Sequence, residues 1–136
     1  MKPRRVVITG VGMVTPIGTG REEFWDGLQG RVSRVGPITR FDPSPFRTRM
    51  AGEVPDFRPE DHIEARRVRR FGRFAQFGVA ATRLALVDAE IDLAVEDGER
   101  IGSSMGTALA GVARAEEEHG NYMRGGLRAV DPSLAL

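Results

Sequence analysis

Residues 4–18 read RRVVITGVGMVTPIG. Within them Arg5–Thr9 is a short β-branched run closed by Gly10 and Gly12, the pattern of a buried strand in a parallel or mixed sheet. Two glycines after a strand invite a dinucleotide-binding reading, but that fingerprint needs a third glycine where Thr15 stands, so that a helix can pack on the strand. Pro16 and Gly18 also delay the next helix, which would no longer aim its N-terminus at a pyrophosphate. No cofactor is expected.

Working outward, Pro16, Gly18 and Gly20 mark a loop, and Arg21–Gln29 reads as a short helix stopped by Gly30, with Phe24, Trp25 and Leu28 on one side. Residues 31–62 carry five of the eight prolines. They predict irregular chain, with a short strand around Arg49–Val54 and turn chemistry in FDPSPF. From about Ala65 to Asp88 there is no proline and helix formers dominate. One long helix is predicted there, with Val68, Phe71, Ala75, Gly78, Thr82 and Leu86 on one face. Arg100–Thr107 starts like a strand. A second helix is predicted from Val112 to Met123, with Val112, Ala115, His119 and Tyr122 inward, Glu116–Glu118 outward, and Gly125-Gly126 as its end. Strand, helix, long helix, strand, helix is an α/β order.

The chain has 136 residues, 40% hydrophobic and 29% charged, with a net charge of +1. That is the composition of one globular domain. The near balance of charge does not suggest nucleic-acid binding. Cysteine is absent, which excludes a disulfide framework, a thiolate metal site and a cysteine nucleophile within these residues. No run approaches the roughly 18 apolar residues of a membrane span, and Val6–Ile8 is too short for a signal segment. No membrane association is expected, and the expected location is cytoplasmic. His62 sits in a charged turn, and the glutamates next to His119 point to other helix faces, so no metal site is expected.

Arg66, Arg69, Arg70 and Arg73 stand at i, i+3, i+4 and i+7, on the face opposite the apolar one. Basic groups in the first turns of a helix oppose its dipole and repel one another. A solvated helix start would explain the run, but an anionic partner would offset both costs. Glu60, Asp61 and Glu64 lie just upstream and supply part of that offset.

Several segments in order resemble the β-ketoacyl-(acyl carrier protein) synthases of type II fatty acid and polyketide synthesis. They are RRVVITGVGMVTPIG, ITRFDPSPFRTRMAGEV, RRFGRFAQFGVAATRLALVDA, ERIGSSMGTALAG and EEEHGNYMRGG, and FDPSPFRTR is particularly similar to actinobacterial ketosynthases. The resemblance implies a thiolase-like fold, with αβαβα layers in the complete dimeric enzyme. Residues 1–136 would then be a partial N-terminal half-domain that stops before the catalytic cysteine. Arg5–Thr9 would be the central strand of its sheet, Arg100–Ser104 the next strand, and the helix from about Val68 its cover.

The family reaction joins an acyl thioester on a cysteine to a carbanion made by decarboxylating malonyl-carrier protein. It needs a low-pKa thiolate, oxyanion donors and two histidines. None is assigned here, so the chain alone is expected to be inactive. The resemblance carries over Arg66, Arg69 and Arg70 as a docking patch for acidic acyl carrier protein. It carries over Leu109 as a wall of the acyl pocket, with Gly106 and Ala108 keeping side-chain volume low beside it. Leu134 and Ala135 match a dimer-interface segment that reaches the partner's acyl tunnel. The assembly would be a homodimer or a heterodimer. Alternatives are a non-catalytic subunit like a chain-length factor, or a module that binds carrier protein without catalysis. Where the family has Asp-Ala-Gly after the long helix, this chain has Asp88-Ala89-Glu90, so the cap must differ or carry strain.

Overall fold

Gly12 has no room for a side chain: a Cβ there would lie 1.9 Å from the Ala81 carbonyl oxygen, and one on Gly10 would lie 2.4 Å from that of Ala85. In this computed structural model, which describes residues 3–132, the Gly-Val-Gly motif lies directly on a helix. The chain forms two compact units. One gathers the residues up to Arg58 with Ala81–Asp97, the other Pro59–Ala80 with the residues from Gly98 on.

In the first unit, residues 10–12 run along Ala81 and Ala85 of a helix, α3 (Arg73–Asp88), and Ala89 just past its end, and the Val11 N–H donates to Asp88 at 2.9 Å. Asp88 also pairs with Arg21 at 2.6 Å. A tight hairpin follows, β1 (Val14–Thr15) against β2 (Gly18–Thr19). It leads into α1 (Gly20–Gln29), whose first turn carries Glu22 and Glu23. Carboxylates there suit the positive end of the helix dipole, and Glu23 accepts the Thr19 N–H at 3.0 Å. Gly30 closes the helix by donating to the Asp26 carbonyl, as expected.

β3 (Val35–Pro37) and β4 (Met50–Gly52) pair antiparallel, Gly36 opposite Ala51. The strand expected near Arg49–Val54 is β4. Its partner β3 escaped sequence reading because Val-Gly-Pro has no alternation to read. The loop between them is built from side chains. Asp42 accepts the N–H and hydroxyl of Ser44, and Phe41 meets Phe46 edge-on at 5.9 Å. Glu53 accepts the Thr39 hydroxyl at 2.6 Å and the N–H groups of Thr39 and Arg40. The Thr39 side-chain bond is the largest reason that the Glu53 carboxyl sits below its ordinary 4.5.

In the second unit a 3-10 turn, Pro59–Asp61, leads to α2 (Ala65–Val68), and α3 begins at Arg73 and runs to Asp88. The single helix expected over Ala65–Asp88 is therefore broken. Gly72 stands in the gap, where helix is about 1 kcal/mol less favourable than for alanine. Gln76 stabilises the break, donating to the carbonyls of Val68 at 3.1 Å and Phe71 at 2.9 Å. At the far end of α3, Glu90 takes the left-handed position at φ 55°, and the Ile91 N–H reaches back to Leu86 at 3.0 Å. A non-glycine residue fills the cap where the family pattern has glycine. That conformation costs roughly 1–2 kcal/mol.

α4 spans Val112–Gly125, closed by Gly126 at φ 68°, and a 3-10 turn follows at Gly126–Ala129. Its expected faces are corrected. Glu118 is buried at 8% exposure, while Val112 and Tyr122 are 43% and 46% exposed. The polar partners of Glu118 and Arg114 lie in its own unit, and they decide which face turns inward.

Two strand expectations are also corrected. Neither Arg5–Thr9 nor Arg100–Thr107 forms a strand: Arg100 ends a 3-10 turn, Gly98–Arg100, the other residues belong to no regular element, and Val6 is 92% and Ile8 87% exposed. A buried parallel strand exists only through neighbours on both sides, and among the described residues the sheets are the two antiparallel pairs alone. Among those residues, too, no helix is long and apolar enough to cross a membrane.

Candidate functional site

The break between α2 and α3 resolves the conflict that the arginine run poses. On one long helix these cations would sit at the positive end of the dipole. Here α2 is a single turn, so Arg66 and Arg67 stand in its first and last turn alike, with Arg69 as its C-cap, and so short a helix sums little dipole to oppose them. Arg73, which opens α3, lies over the Phe77 ring at 4.8 Å.

The arginines do not form the straight stripe that ideal spacing predicts. Arg66, Arg67 and Arg70 line one pocket, and Arg69 is exposed. Sequence reasoning left out Arg67 because it kept to the stripe Arg66, Arg69, Arg70 and Arg73, although Arg67 and Arg70 are themselves i, i+3 neighbours. Glu64 reaches Arg66 at 2.8 Å and Arg67 at 3.6 Å. With side chains 79% and 61% exposed, these pairs contribute little, about 0–1 kcal/mol. No carboxylate pairs with Arg69 or Arg70 among the described residues. The surface offers more positive charge than it neutralises.

Behind the arginines lies a second set of contacts. Arg114 of α4 donates one guanidinium N–H to the Arg70 carbonyl at 3.1 Å and another to Asp131 at 2.7 Å. The Asp131 N–H donates in turn to Glu118 at 2.8 Å. Sequence alone gave no signal for this link, because its members are far apart along the chain.

Gly106, Ala108 and Leu109 lie in the exposed segment that precedes α4, with Leu109 72% exposed. The Ala110 N–H donates to the Thr107 hydroxyl at 3.0 Å, and Ala110 has φ 44°. Leu134 and Ala135 lie outside the described residues.

Residues 3–133 match the family described as β-ketoacyl synthase, N-terminal domain. A Streptomyces violaceoruber protein named as a granaticin polyketide β-ketoacyl synthase is 46% identical over 85% of this chain and 28% of its own length. The 3-oxoacyl-[acyl-carrier-protein] synthase 2 of Staphylococcus aureus (strain COL) is 37% identical over 95% of this chain and 31% of its own. Among solved structures, the ishigamide ketosynthase/chain length factor superposes with a TM-score of 0.78 at 36% identity, over 97% of this chain and 33% of that one. A type II polyketide ketosynthase in complex with its acyl-carrier protein superposes at 0.75 with 22% identity, over 95% and 33%; it shows the fold alone. The chain thus spans about a third of the proteins it matches, and its fold is part of their thiolase-like architecture.

Proposed function

Because this chain belongs to the β-ketoacyl synthase family, as part of its N-terminal domain, we propose that it is the amino-terminal share of a 3-oxoacyl-(acyl carrier protein) synthase. The complete protein extends acyl chains in fatty acid or polyketide biosynthesis. In that reaction a cysteine thiolate holds the acyl group, malonyl-carrier protein loses carbon dioxide, and the resulting carbanion displaces the thiolate from the thioester carbonyl. None of the 136 residues is a cysteine, so the thiolate is supplied from outside them. These residues contribute scaffold, part of the acyl-pocket wall around Leu109, and the docking surface for an acidic acyl carrier protein.

The observation that carries the docking role is the surplus of exposed guanidinium groups, with Arg66, Arg67 and Arg70 around one pocket and Arg69 exposed in the same segment. Planar, permanently charged forks of this kind suit carboxylate and phosphate groups on a partner. Replacing both Arg69 and Arg70 by glutamate in the complete protein is expected to weaken carrier binding at least about tenfold, or ~1.4 kcal/mol. The salt dependence of binding should flatten as well. Carrier affinity that does not respond to this double change rejects the docking role.

A second reading takes up the chain length factor that is named beside the ketosynthase in one solved neighbour. The chain would then belong to a non-catalytic subunit that shapes the tunnel of a heterodimer. Acyl transfer from an acyl thioester onto the complete protein separates the two, since only the enzyme becomes acylated.

A further inference from the structure

We propose that Arg114 and Asp131 are positioning residues for the basic docking surface, a role that rests on the docking reading above. The break between α2 and α3 holds the backbone of Arg69–Gly72 outside any helix, and turn hydrogen bonds replace helical ones there, from the Arg70 N–H to the Arg67 carbonyl at 3.0 Å and from the Phe71 N–H to the Val68 carbonyl at 3.3 Å. Two side chains add to this constraint by binding the carbonyls of the turn. Gln76 holds the Val68 and Phe71 carbonyls, and Arg114 holds the Arg70 carbonyl between them along the chain at 3.1 Å.

Arg114 can do this because its planar fork is oriented from the other side. Asp131 binds the second Nη at 2.7 Å, and Glu118, one turn after Arg114 on α4, accepts the Asp131 N–H at 2.8 Å. The Arg114 side chain is only 23% exposed, so it supports the patch from beneath while Arg66, Arg67 and Arg70 face the solvent. A lysine could keep the charge but not both directed contacts.

This arrangement makes a prediction opposite in sign to simple charge attraction. Asp131→Asn adds one unit of positive charge to the surface near the arginines. If net charge alone governed docking, an acidic carrier would bind equally or more tightly. If Asp131 acts by orienting Arg114, and through it Arg70, the carrier binds more weakly.

The test uses the complete protein with purified acyl carrier protein as the probe, at fixed ionic strength. Asp131→Asn and Arg114→Lys are each expected to weaken binding about fivefold. KM for the carrier-borne substrate should rise more than kcat falls. Glu118→Gln keeps an acceptor for the Asp131 N–H and is expected to change binding less than either. Hydrogen exchange at the Arg70 and Phe71 amides, which donate to the Arg67 and Val68 carbonyls, should quicken in Arg114→Lys; this readout stands even if Asp131→Asn folds poorly. Equal or tighter binding by Asp131→Asn, with Arg70→Glu still weakening it, overturns the positioning role and leaves the docking reading intact. A flat response to Arg70→Glu overturns both.

Discussion

At the scale of single residues, the contact at Gly12 is the most demanding. A methyl group there must displace the Ala81 carbonyl, which belongs to the hydrogen-bonded backbone of α3 and cannot swing away like a side chain. Gly12→Ala is therefore expected to destabilise the complete protein by about 1–3 kcal/mol, the usual cost of overpacking. Chemical denaturation with a matched Gly36→Ala control checks this, since Gly36 has nothing near its Cβ position. The glycine pair was legible in the sequence as something other than a nucleotide loop, but its purpose was not. The alanines that receive it lie about seventy residues downstream, and only the fold brings them together. Leu109 makes a second residue-level prediction. If it walls the acyl pocket of the complete enzyme, Leu109→Trp shortens the acyl products, which mass spectrometry of the released chains will show. Unchanged product lengths would remove Leu109 from the pocket.

At the scale of elements, α1, β4 and α4 were readable because each is defined by local signals: turn residues, a glycine stop, or a helical run. The break after Val68 was not. Alanine and arginine, both strong helix formers, flank it on either side, and the cue was a single Gly72 together with a glutamine four residues later. The face of α4 was misread because an apolar stripe is only a preference. Arg114 and Glu118 found partners in their own unit, whereas Val112 and Tyr122 did not become buried. The β3–β4 loop yields a prediction in pH. The Glu53 carboxyl is lowered chiefly by the Thr39 side-chain bond. A depressed folded value means that the charged form is favoured on folding. Its contribution is fully present above pH 4.5, the ordinary value, and is lost as pH falls below it. Glu53→Gln should therefore lower stability near neutrality, and the gap to the parent protein should close in acid. A gap that persists unchanged in acid would mean that the carboxylate charge is irrelevant.

At the scale of the whole molecule, the apolar inventory is lopsided. Among the described residues the buried apolar ones are Phe57, Ile63 and Ala80, whereas Val6, Ile8, Leu109, Met123 and Leu127 are all at least 70% exposed. Burial contributes roughly 25 cal/mol for each Å² of apolar surface, so much of the potential stabilisation is unrealised by these residues alone. The chain expressed as residues 1–136 is expected to associate or to melt without cooperativity, because exposed extended backbone and apolar side chains template aggregation. A monomeric mass with a sharp thermal transition would contradict this. The fold class was legible through ordered resemblance across the chain. The incomplete sheet was not, because strand pairing is a property of neighbours and not of the strand itself.

The Gly10–Gly12 contact with α3 has a consequence for how a sheet could be completed around residues 5–9. Held at its carboxyl end by the helix, that ribbon cannot slide lengthwise by a residue without driving a Cβ or a carbonyl into the alanine ridge. Any strand that comes to lie alongside it meets a register already chosen, so inward and outward side chains are sorted before the first inter-strand hydrogen bond forms.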